Sequence, residues 1–419
     1  MSLLLDVSSV FFTISFLIYC VAFIMYGVAI MGRVWRNRDP IVHTKKWGKA
    51  AFLLASIGLI AHLTYFITRW IGSGHIPISN MFEFMTSLSM MIMIAFTIIF
   101  LIYRKTLLGL FAVPLVIIIM AYAAVFPQEA QPLIPSLQSW WLQVHVTMAA
   151  LGESFFAIGF AAGFMYLLRT VDFNSQDKRE RRQQRGVEFT FFTIIILVGF
   201  IIAIFAFRAG GYESVFSQKE VANNGEVSTT MQKVEYKLPP IVSPYQSEIV
   251  SFQSFLGMDA PLFEAPSWMH GINAGRKLNT VVWSLLAGII LYGLIRLILR
   301  KPIGRAVHPL LKSLDADDLD EITYRSIAIG FPIFTLGALI FAMMWAQIAW
   351  GRFWGWDPKE VWALITWLFY SAYLHLRLSR GWQGRKSAWL AVLGFIVVMF
   401  TLVGVNLIIA GLHSYAGTD

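Results

Sequence analysis

Tryptophan is concentrated in one short stretch of the sequence. Six of the fifteen tryptophans lie between residues 345 and 367, at Trp345, Trp350, Trp354, Trp356, Trp362 and Trp367. The aromatic belt at a membrane surface accounts for isolated tryptophans, but it does not account for such a cluster. Indole rings offer large, flat apolar surfaces at low entropic cost. The cluster therefore predicts a surface that buries a large planar ligand, and a porphyrin has that shape.

The residues between these tryptophans carry their own structural signals. Gly351 and Gly355 would let the backbone approach such a ligand closely. Asp357, which is followed by a proline, predicts the start of a helix, with the aspartate as N-cap and the proline in the first helical position. Arg352 or Lys359 could pair with an acidic group of the ligand, or equally with lipid phosphates.

Histidine, the natural axial ligand of haem iron, occurs eight times. His145 begins one predicted membrane helix and His413 follows the last one, so both are candidate iron ligands near the tryptophan cluster. His375 lies 18 residues after Asp357 inside a predicted helix, and an ionisable side chain at membrane depth indicates a functional site. His62, in the second predicted helix, is a further candidate. Interfacial histidines and a hydrogen-bonded core histidine are the alternative interpretations.

Three polar side chains lie near or within predicted membrane helices. Asn80 and Glu83 are three residues apart and share one helix face, and Glu153 lies in the helix that His145 begins. They could hydrogen-bond a neighbouring helix or shape the entry of the ligand, and we expect them to serve the architecture more than the chemistry.

The composition is that of an integral membrane protein. Hydrophobic residues make up 57% of the 419 residues and charged residues only 14%, too few to cover a soluble surface. The net charge of +9 is explained by basic cytoplasmic loops, so no nucleic-acid partner is expected. The single cysteine, Cys20, excludes a disulfide framework or a cysteine metal site within the chain. The sequence also lacks a phosphate-binding GxxxxGK[ST] loop and a CxxCH motif.

The fold class predicted is an all-α polytopic bundle of about ten transmembrane helices. Each predicted span is long enough to cross a hydrocarbon core of roughly 30 Å, and lipid-exposed backbone must pair within the helix. The spans are expected near 10–32, 48–69, 81–102, 107–126, 144–168, 188–207, 279–299, 326–349, 362–379 and 388–410.

The distribution of lysine and arginine predicts the orientation. Most of the 33 basic residues fall in alternate loops, which places those loops in the cytoplasm and both termini outside. His145, His413 and the tryptophan cluster are then expected on the outer side of a bacterial cytoplasmic membrane, and His375 toward the inner side.

Three regions are expected along the chain. Residues 1–169 hold the first five helices, and 324–419 hold the tryptophan cluster and the last three. Residues 170–323 carry two helices and a long outer loop, 208–278, rich in glycine, proline, serine and asparagine. The loop has too little apolar periodicity to assign a domain, and it is interpreted as a lid or a docking segment.

The stretch from Trp350 to Trp367, WGRFWGWDPKEVWALITW, resembles the WWD signature of haem-handling proteins of cytochrome c biogenesis. Its continuation after the Asp-Pro pair is similar to the CcsA/ResC branch, whose members are subunits of the System II cytochrome c synthase. GHIPISNMFE at 74–83, YRSIAIGFP at 324–332 and GLHSYA at 411–416 are also similar to that branch. The resemblance covers nearly the whole chain except about 170–323, where this sequence carries an insertion relative to members with about eight helices.

The resemblance implies a set of haem ligands. His145 and His413 would be the external axial ligands of haem b, and His375 would ligate haem inside the bundle. The other ligand at that depth would come from a CcsB/ResB-type membrane partner, with His62 as the candidate within this chain. The haem-holding surface implied comprises Trp350, Trp354, Trp356, Asp357 and Trp362.

The resemblance implies delivery of haem and its attachment to the CxxCH motifs of apocytochrome c, in a holocytochrome c synthase (haem lyase) that includes the CcsB/ResB-type partner. No catalytic residue is assigned beyond the haem ligands. One alternative is a haem transporter or chaperone that performs no attachment. The other is a transmembrane haem electron carrier. A reporter cytochrome discriminates them, because only the synthase forms covalent haem on it.

Overall fold

The structure, a computed structural model, describes residues 2–32, 39–130, 138–221, 227–269 and 271–405. The α-helices are α1 Ser2–Met31, α2 Pro40–Ser73, α3 Met81–Tyr103, α4 Thr106–Ala123, α5 Trp140–Thr170, α6 Lys178–Ala209, α7 Ala274–Leu299, α8 Ile303–Leu311, α9 Ala316–Phe334, α10 Ala342–Trp350, α11 Pro358–Ser379 and α12 Arg385–Met399. The strands are β1 Ser214–Val221, β2 Val227–Tyr236, β3 Val242–Ser243, β4 Ser247–Ser251 and β5 Phe263–Glu264.

Within the described ranges, nine helices are long and apolar enough to cross a membrane. They are α1 to α7, the continuous helical segment Ala316–Trp350, and Arg385–Gly404. The remaining predicted span also forms a helix, α11, whose tryptophans, tyrosines, His375 and Arg377 make it less apolar than the other nine. The predicted all-α polytopic membrane protein is confirmed, because every apolar segment is helical as far as the structure describes it.

The chain divides into two compact units, Glu188–Ala306 and the residues on either side of it. In the larger unit, α5 is the central helix and packs against α3, α4, α9, α10 and α12. Small residues permit this close packing. A Cβ atom on Gly152 of α5 would lie 2.7 Å from the backbone of Phe334, so only glycine allows α5 and α9 to approach so closely.

The smaller unit contains the five strands, which the sequence did not predict. β1 pairs antiparallel with both β2 and β4, and β3 pairs in parallel with β5. Phe216, Val234 and Tyr236 form its small apolar core. Ser214 and Gln218 fill other buried positions of β1, so polar residues interrupt the inward face and hide the alternation typical of a strand.

Two segments of π-helix interrupt the helices near the tryptophan cluster. Thr335–Phe341 joins α9 to α10, and Phe400–Gly404 continues α12. Pro332 precedes the first segment and cannot donate a backbone hydrogen bond there. Single π-helical turns inside α-helices are frequent at functional sites, and both segments contribute side chains to the cavity described below.

Candidate functional site

A cavity opens in the larger unit between α3, α5, the α9–α10 segment and α11. It contains about 1290 Å³ of non-atom space, part of which is open solvent. Its walls are mainly apolar and aromatic, and they include Phe84, Phe334, Trp345, Trp350 and Trp354. The lining therefore suits a flat, mostly apolar ligand.

His145 lines this cavity from α5, and its ring orientation is set by the first π-helical segment. Its Nδ1 lies 2.9 Å from the carbonyl oxygen of Gly337. A carbonyl only accepts hydrogen bonds, so Nδ1 carries the proton and donates it, and the lone pair of the neutral ring belongs to Nε2. Histidines that bind metals are commonly oriented in this way, through the nitrogen that does not bind the metal.

The carbonyl that orients His145 depends on a close approach between two backbones. A Cβ atom on Gly337 would lie 2.3 Å from the backbone nitrogen of Ala149. Any other residue would push the π-helical segment away from α5, and the carbonyl would move with it. Glycine is therefore required at position 337 by close packing, and this packing keeps the carbonyl within hydrogen-bond distance of His145.

The tryptophan side chains continue the wall beside His145. The ring of Trp345 is nearly parallel to the imidazole, at 10° and 5.9 Å between centroids. Trp350 meets Trp345 edge-on at 4.8 Å. Trp354 lines the cavity from the loop that follows α10 and meets Trp356 edge-on at 6.0 Å. Three indole rings and one imidazole therefore border the same space.

The loop between α10 and α11 is held by a capping box at the start of α11. An oxygen of Glu360 accepts hydrogen bonds from the backbone nitrogens of Gly355, at 2.7 Å, and Asp357, at 3.1 Å. In return, the Asp357 side chain accepts a hydrogen bond from the backbone nitrogen of Lys359 at 3.1 Å. The predicted aspartate N-cap with proline in the first helical position is confirmed. Trp356 adopts a left-handed conformation with φ of 56°, which a bulky residue rarely takes.

The Asp357→Ala substitution is expected to lower the free energy of unfolding by about 0.5–2 kcal/mol, the usual cost of losing an N-cap. The reason is that backbone donors at the start of α11 lose their acceptor. Hydrogen exchange of residues 351–360 should accelerate. The matched control is Asp39→Ala, which removes the N-cap of α2 and should leave exchange at 351–360 unchanged. Equal exchange in wild type and Asp357→Ala would contradict the role of the cap.

The remaining predicted site residues lie elsewhere. Trp356 is 71% exposed, and Trp362 packs against Phe400 at 4.4 Å between ring centroids. His375 is exposed on the outer face of α11. His62 is fully buried on α2, with its Nδ1 3.4 Å from the Tyr19 hydroxyl. None of these four side chains lines the described cavity, and His413 lies outside the described residues.

One rim of the cavity is held by a buried ion pair. Arg69 of α2 contacts Glu83 of α3 at 2.7 Å, and both side chains are almost completely buried. Glu83 also accepts from the Ser79 backbone nitrogen and hydroxyl, at 2.9 and 2.6 Å. Asn80 caps α3 through the backbone nitrogen of Glu83. These contacts agree with the architectural role expected for Asn80 and Glu83. They also hold the cavity residues Ser79 and Asn80 in place.

A cationic side chain also lines the cavity. Lys359 lines the cavity from the first turn of α11, before the apolar stretch of that helix. Burial lowers the pKa of Lys359 to about 8, and the charge of Asp357 opposes this shift. The amine suits an acidic group at the edge of a ligand.

Trp345 and Glu153 are among the cavity residues that were not assigned to the site from the sequence. Trp345 was counted in the cluster, but its parallel contact with His145 depends on packing between helices. Glu153 lies eight residues after His145, so the helical period places both on one face of α5. That spacing was the available signal for a shared cavity.

Comparison with known proteins places this chain in a protein family. Residues 53–216 and 280–413 match the model of the family described as Cytochrome C assembly protein. The chain is 33% identical to the cytochrome c biogenesis protein CcsA of Nostoc punctiforme over 384 residues, covering 88% of this chain and 92% of the relative. It is 29% identical to the CcsA protein of Gloeobacter violaceus, covering 90% and 88%.

The matched segments contain His145, His413 and the whole tryptophan cluster, and the gap between them, 217–279, contains most of the strand residues. The family model covers well over half of the chain. The chain is therefore a multi-pass membrane protein of the cytochrome c assembly protein family, which serves cytochrome c maturation.

Proposed function

We propose that this protein receives haem b as a substrate in the cavity and presents it for attachment to the CxxCH motifs of apocytochrome c. In this proposal it is the CcsA-type subunit of a cytochrome c synthase, with a CcsB/ResB-type partner, and the cavity faces the outer side of the bacterial cytoplasmic membrane. The observation that carries the proposal is His145, whose Nδ1–H is held by the Gly337 carbonyl within an aromatic cavity.

The proposal assigns roles to several cavity residues and to His413. The Nε2 atom of His145 supplies one axial ligand, and His413 supplies the other. Trp345, Trp350 and Trp354 supply flat surfaces that exclude water from the porphyrin faces. The amine of Lys359 suits a haem propionate. Neutral imidazole ligands can be displaced by the histidine of the CxxCH motif, so the haem can be handed on.

The attachment chemistry itself needs no thiol from this chain. The two thioether bonds join haem vinyl groups to cysteines of the cytochrome, and the protein contributes positioning. Cys20 is the only cysteine, and it lies in α1. The proposal therefore assigns binding and orientation to this chain and assigns no covalent intermediate to it.

His375 is proposed as a ligand for haem inside the membrane. Its side chain is exposed on the same outward face of α11 as Ile365, Leu368 and Ala372. A ligand on the outer face of a bundle suits a haem shared with another chain. His62 is enclosed by Tyr19 and Tyr65, with ring centroids at 6.0 and 5.8 Å. We therefore propose that the partner, and not His62, supplies the second ligand at that depth.

The test is maturation of a reporter apocytochrome in cells that lack any other attachment system. The chain is coexpressed with a CcsB/ResB-type partner, and covalent haem on the denatured reporter is measured. Covalent haem is expected with the wild type and a severalfold reduction with the double variant Trp350→Leu, Trp354→Leu. Trp268→Leu, an exposed residue of the smaller unit, is the control and should behave as the wild type.

Other outcomes separate the competing functions. Haem that reaches the reporter without becoming covalent would replace the synthase with a transporter or chaperone. Haem-loaded protein that moves electrons across the membrane, with maturation unaffected, would favour an electron carrier. Protein that purifies without haem and matures nothing would contradict the proposal as a whole.

A further inference from the structure

Glu153 is a buried carboxylic side chain in the wall of the cavity. It lies on α5 about 12 Å beyond His145 along the helix axis, and it is only 6% exposed. Its Oε2 atom accepts no hydrogen bond from any residue that the structure describes. Glu83, by contrast, is buried with several hydrogen-bond partners. Hydrogen bonds within the fold therefore account for the burial of Glu83, but they do not account for the burial of Glu153.

The surroundings of Glu153 offer no fixed counter-charge. Around the cavity wall, Phe334 of α9, Ala338 of the first π-helical segment and Leu402 of the second are apolar. The other titratable side chains lining the described cavity are His145, Lys359 and Glu360. Lys359 and Glu360 belong to the first turn of α11, where Glu360 is bonded within the capping box.

A second buried group lies beside Glu153. Tyr370 of α11 is fully buried, and its hydroxyl has no hydrogen-bond partner among the described residues. Its ring stacks on Phe156, one turn beyond Glu153 on α5, at 3.7 Å and 12°. Tyr370 is therefore a second buried polar group next to this part of α5, and it supplies no counter-charge.

An unpaired charge in so apolar a place is costly, so charge added to the cavity favours a compensating proton. We propose that Glu153 takes up one proton when the iron of a haem held in the cavity is reduced by one electron, and releases it on reoxidation. This inference rests on the proposed function. In the balanced step, an external one-electron reductant converts ferric to ferrous iron, and one solvent proton converts the Glu153 carboxylate to the carboxylic acid.

The sign of the pH dependence follows from this coupling. Reduction consumes a proton, so a lower pH favours the reduced state and the midpoint potential falls as the pH rises. The largest slope for one proton per electron is about 59 mV for each tenfold change in proton concentration. Protonation of Glu153 would thus stabilise the ferrous form.

The test is a spectroelectrochemical titration of the detergent-purified protein with its partner, across mildly acidic to mildly alkaline pH. The wild-type potential is expected to fall with rising pH, and Glu153→Gln, which keeps size and removes the titrating group, should lose at least half of that slope. Glu129→Gln alters an exposed glutamate and should leave the slope unchanged. Equal slopes in the wild type and Glu153→Gln would overturn the inference.

A measurement on the wild type guards against a variant that fails to fold. An infrared difference spectrum between the reduced and oxidised states should show a new carboxylic acid carbonyl band on reduction. Its absence would overturn the proton uptake whatever the variants do. If no form of the protein binds haem, the proposed function fails. If all forms bind haem and the slopes are equal, only the role of Glu153 fails.

Discussion

Replacing His145 with alanine is expected to lower the haem content of the purified protein more than about tenfold. Loss of partners that merely orient a metal ligand costs about 10–100-fold in affinity, so loss of the ligand itself should cost at least as much. The measurement is the Soret absorbance per protein after purification with the partner. Cytochrome maturation should fall in parallel, because the cavity would no longer hold the iron.

The structure supplies a matched control for this substitution. His308 is half-buried, and its Nδ1 lies 2.7 Å from the Leu168 carbonyl, the same kind of contact that His145 makes. It lies outside the described cavity, so His308→Ala should retain wild-type haem. Added imidazole should restore haem to His145→Gly by occupying the space left by the ring. Full haem content in His145→Ala, or loss only in His308→Ala, would remove His145 from the site.

Replacing Arg69 with methionine is expected to lower the free energy of unfolding by about 3–5 kcal/mol. The substitution leaves the Glu83 carboxylate buried without its cation and also removes the bond from Arg69 to the Gln128 carbonyl, which is 2.8 Å long. Unfolding in detergent, followed by circular dichroism, measures the loss. The double variant Arg69→Met, Glu83→Gln should recover part of it, because no buried charge remains unpaired.

An exposed ion pair provides the comparison. Arg325 and Glu321 form a pair within α9, with side chains 57% and 44% exposed. Such pairs contribute at most about 1 kcal/mol, so Arg325→Met should be nearly neutral. If Arg69→Met were equally mild, the cavity rim would not depend on the buried pair.

Local chemistry made parts of the site predictable. Asp357 and the proline after it form a helix start by residue type alone, and the structure has that cap. The helices were predictable from the apolar segments, because backbone groups within lipid must form their hydrogen bonds inside the segment. The pairing of His145 with the Gly337 carbonyl was not predictable, since these residues are 192 positions apart. Their contact depends on the π-helical segment, which has no short-range sequence signature.

The contribution of the tryptophans was also predictable only in part. Their clustering predicted a flat surface, and Trp350 and Trp354 do line the cavity. The direction of each ring depends on the loop, whose shape includes a left-handed Trp356 that residue type disfavours. That ring consequently points away from the cavity and is 71% exposed. Composition therefore identified the segment, while backbone geometry decided which members contribute to the site.

The two π-helical segments also control the angular phase of the residues that come after them in the chain. Each segment accommodates more residues per turn than an α-helix, so removing one residue would restore regular winding and leave the later side chains near their present directions. Removing a further residue would rotate every later side chain by about 100°. Trp345 and Trp350 come after the first segment, and Leu402, which lines the cavity, lies within the second. Each π-helical segment can therefore absorb the loss of one residue, whereas other changes of length in these two helices would redirect the side chains that follow, so the spacing of the residues defines this site as much as their identity does.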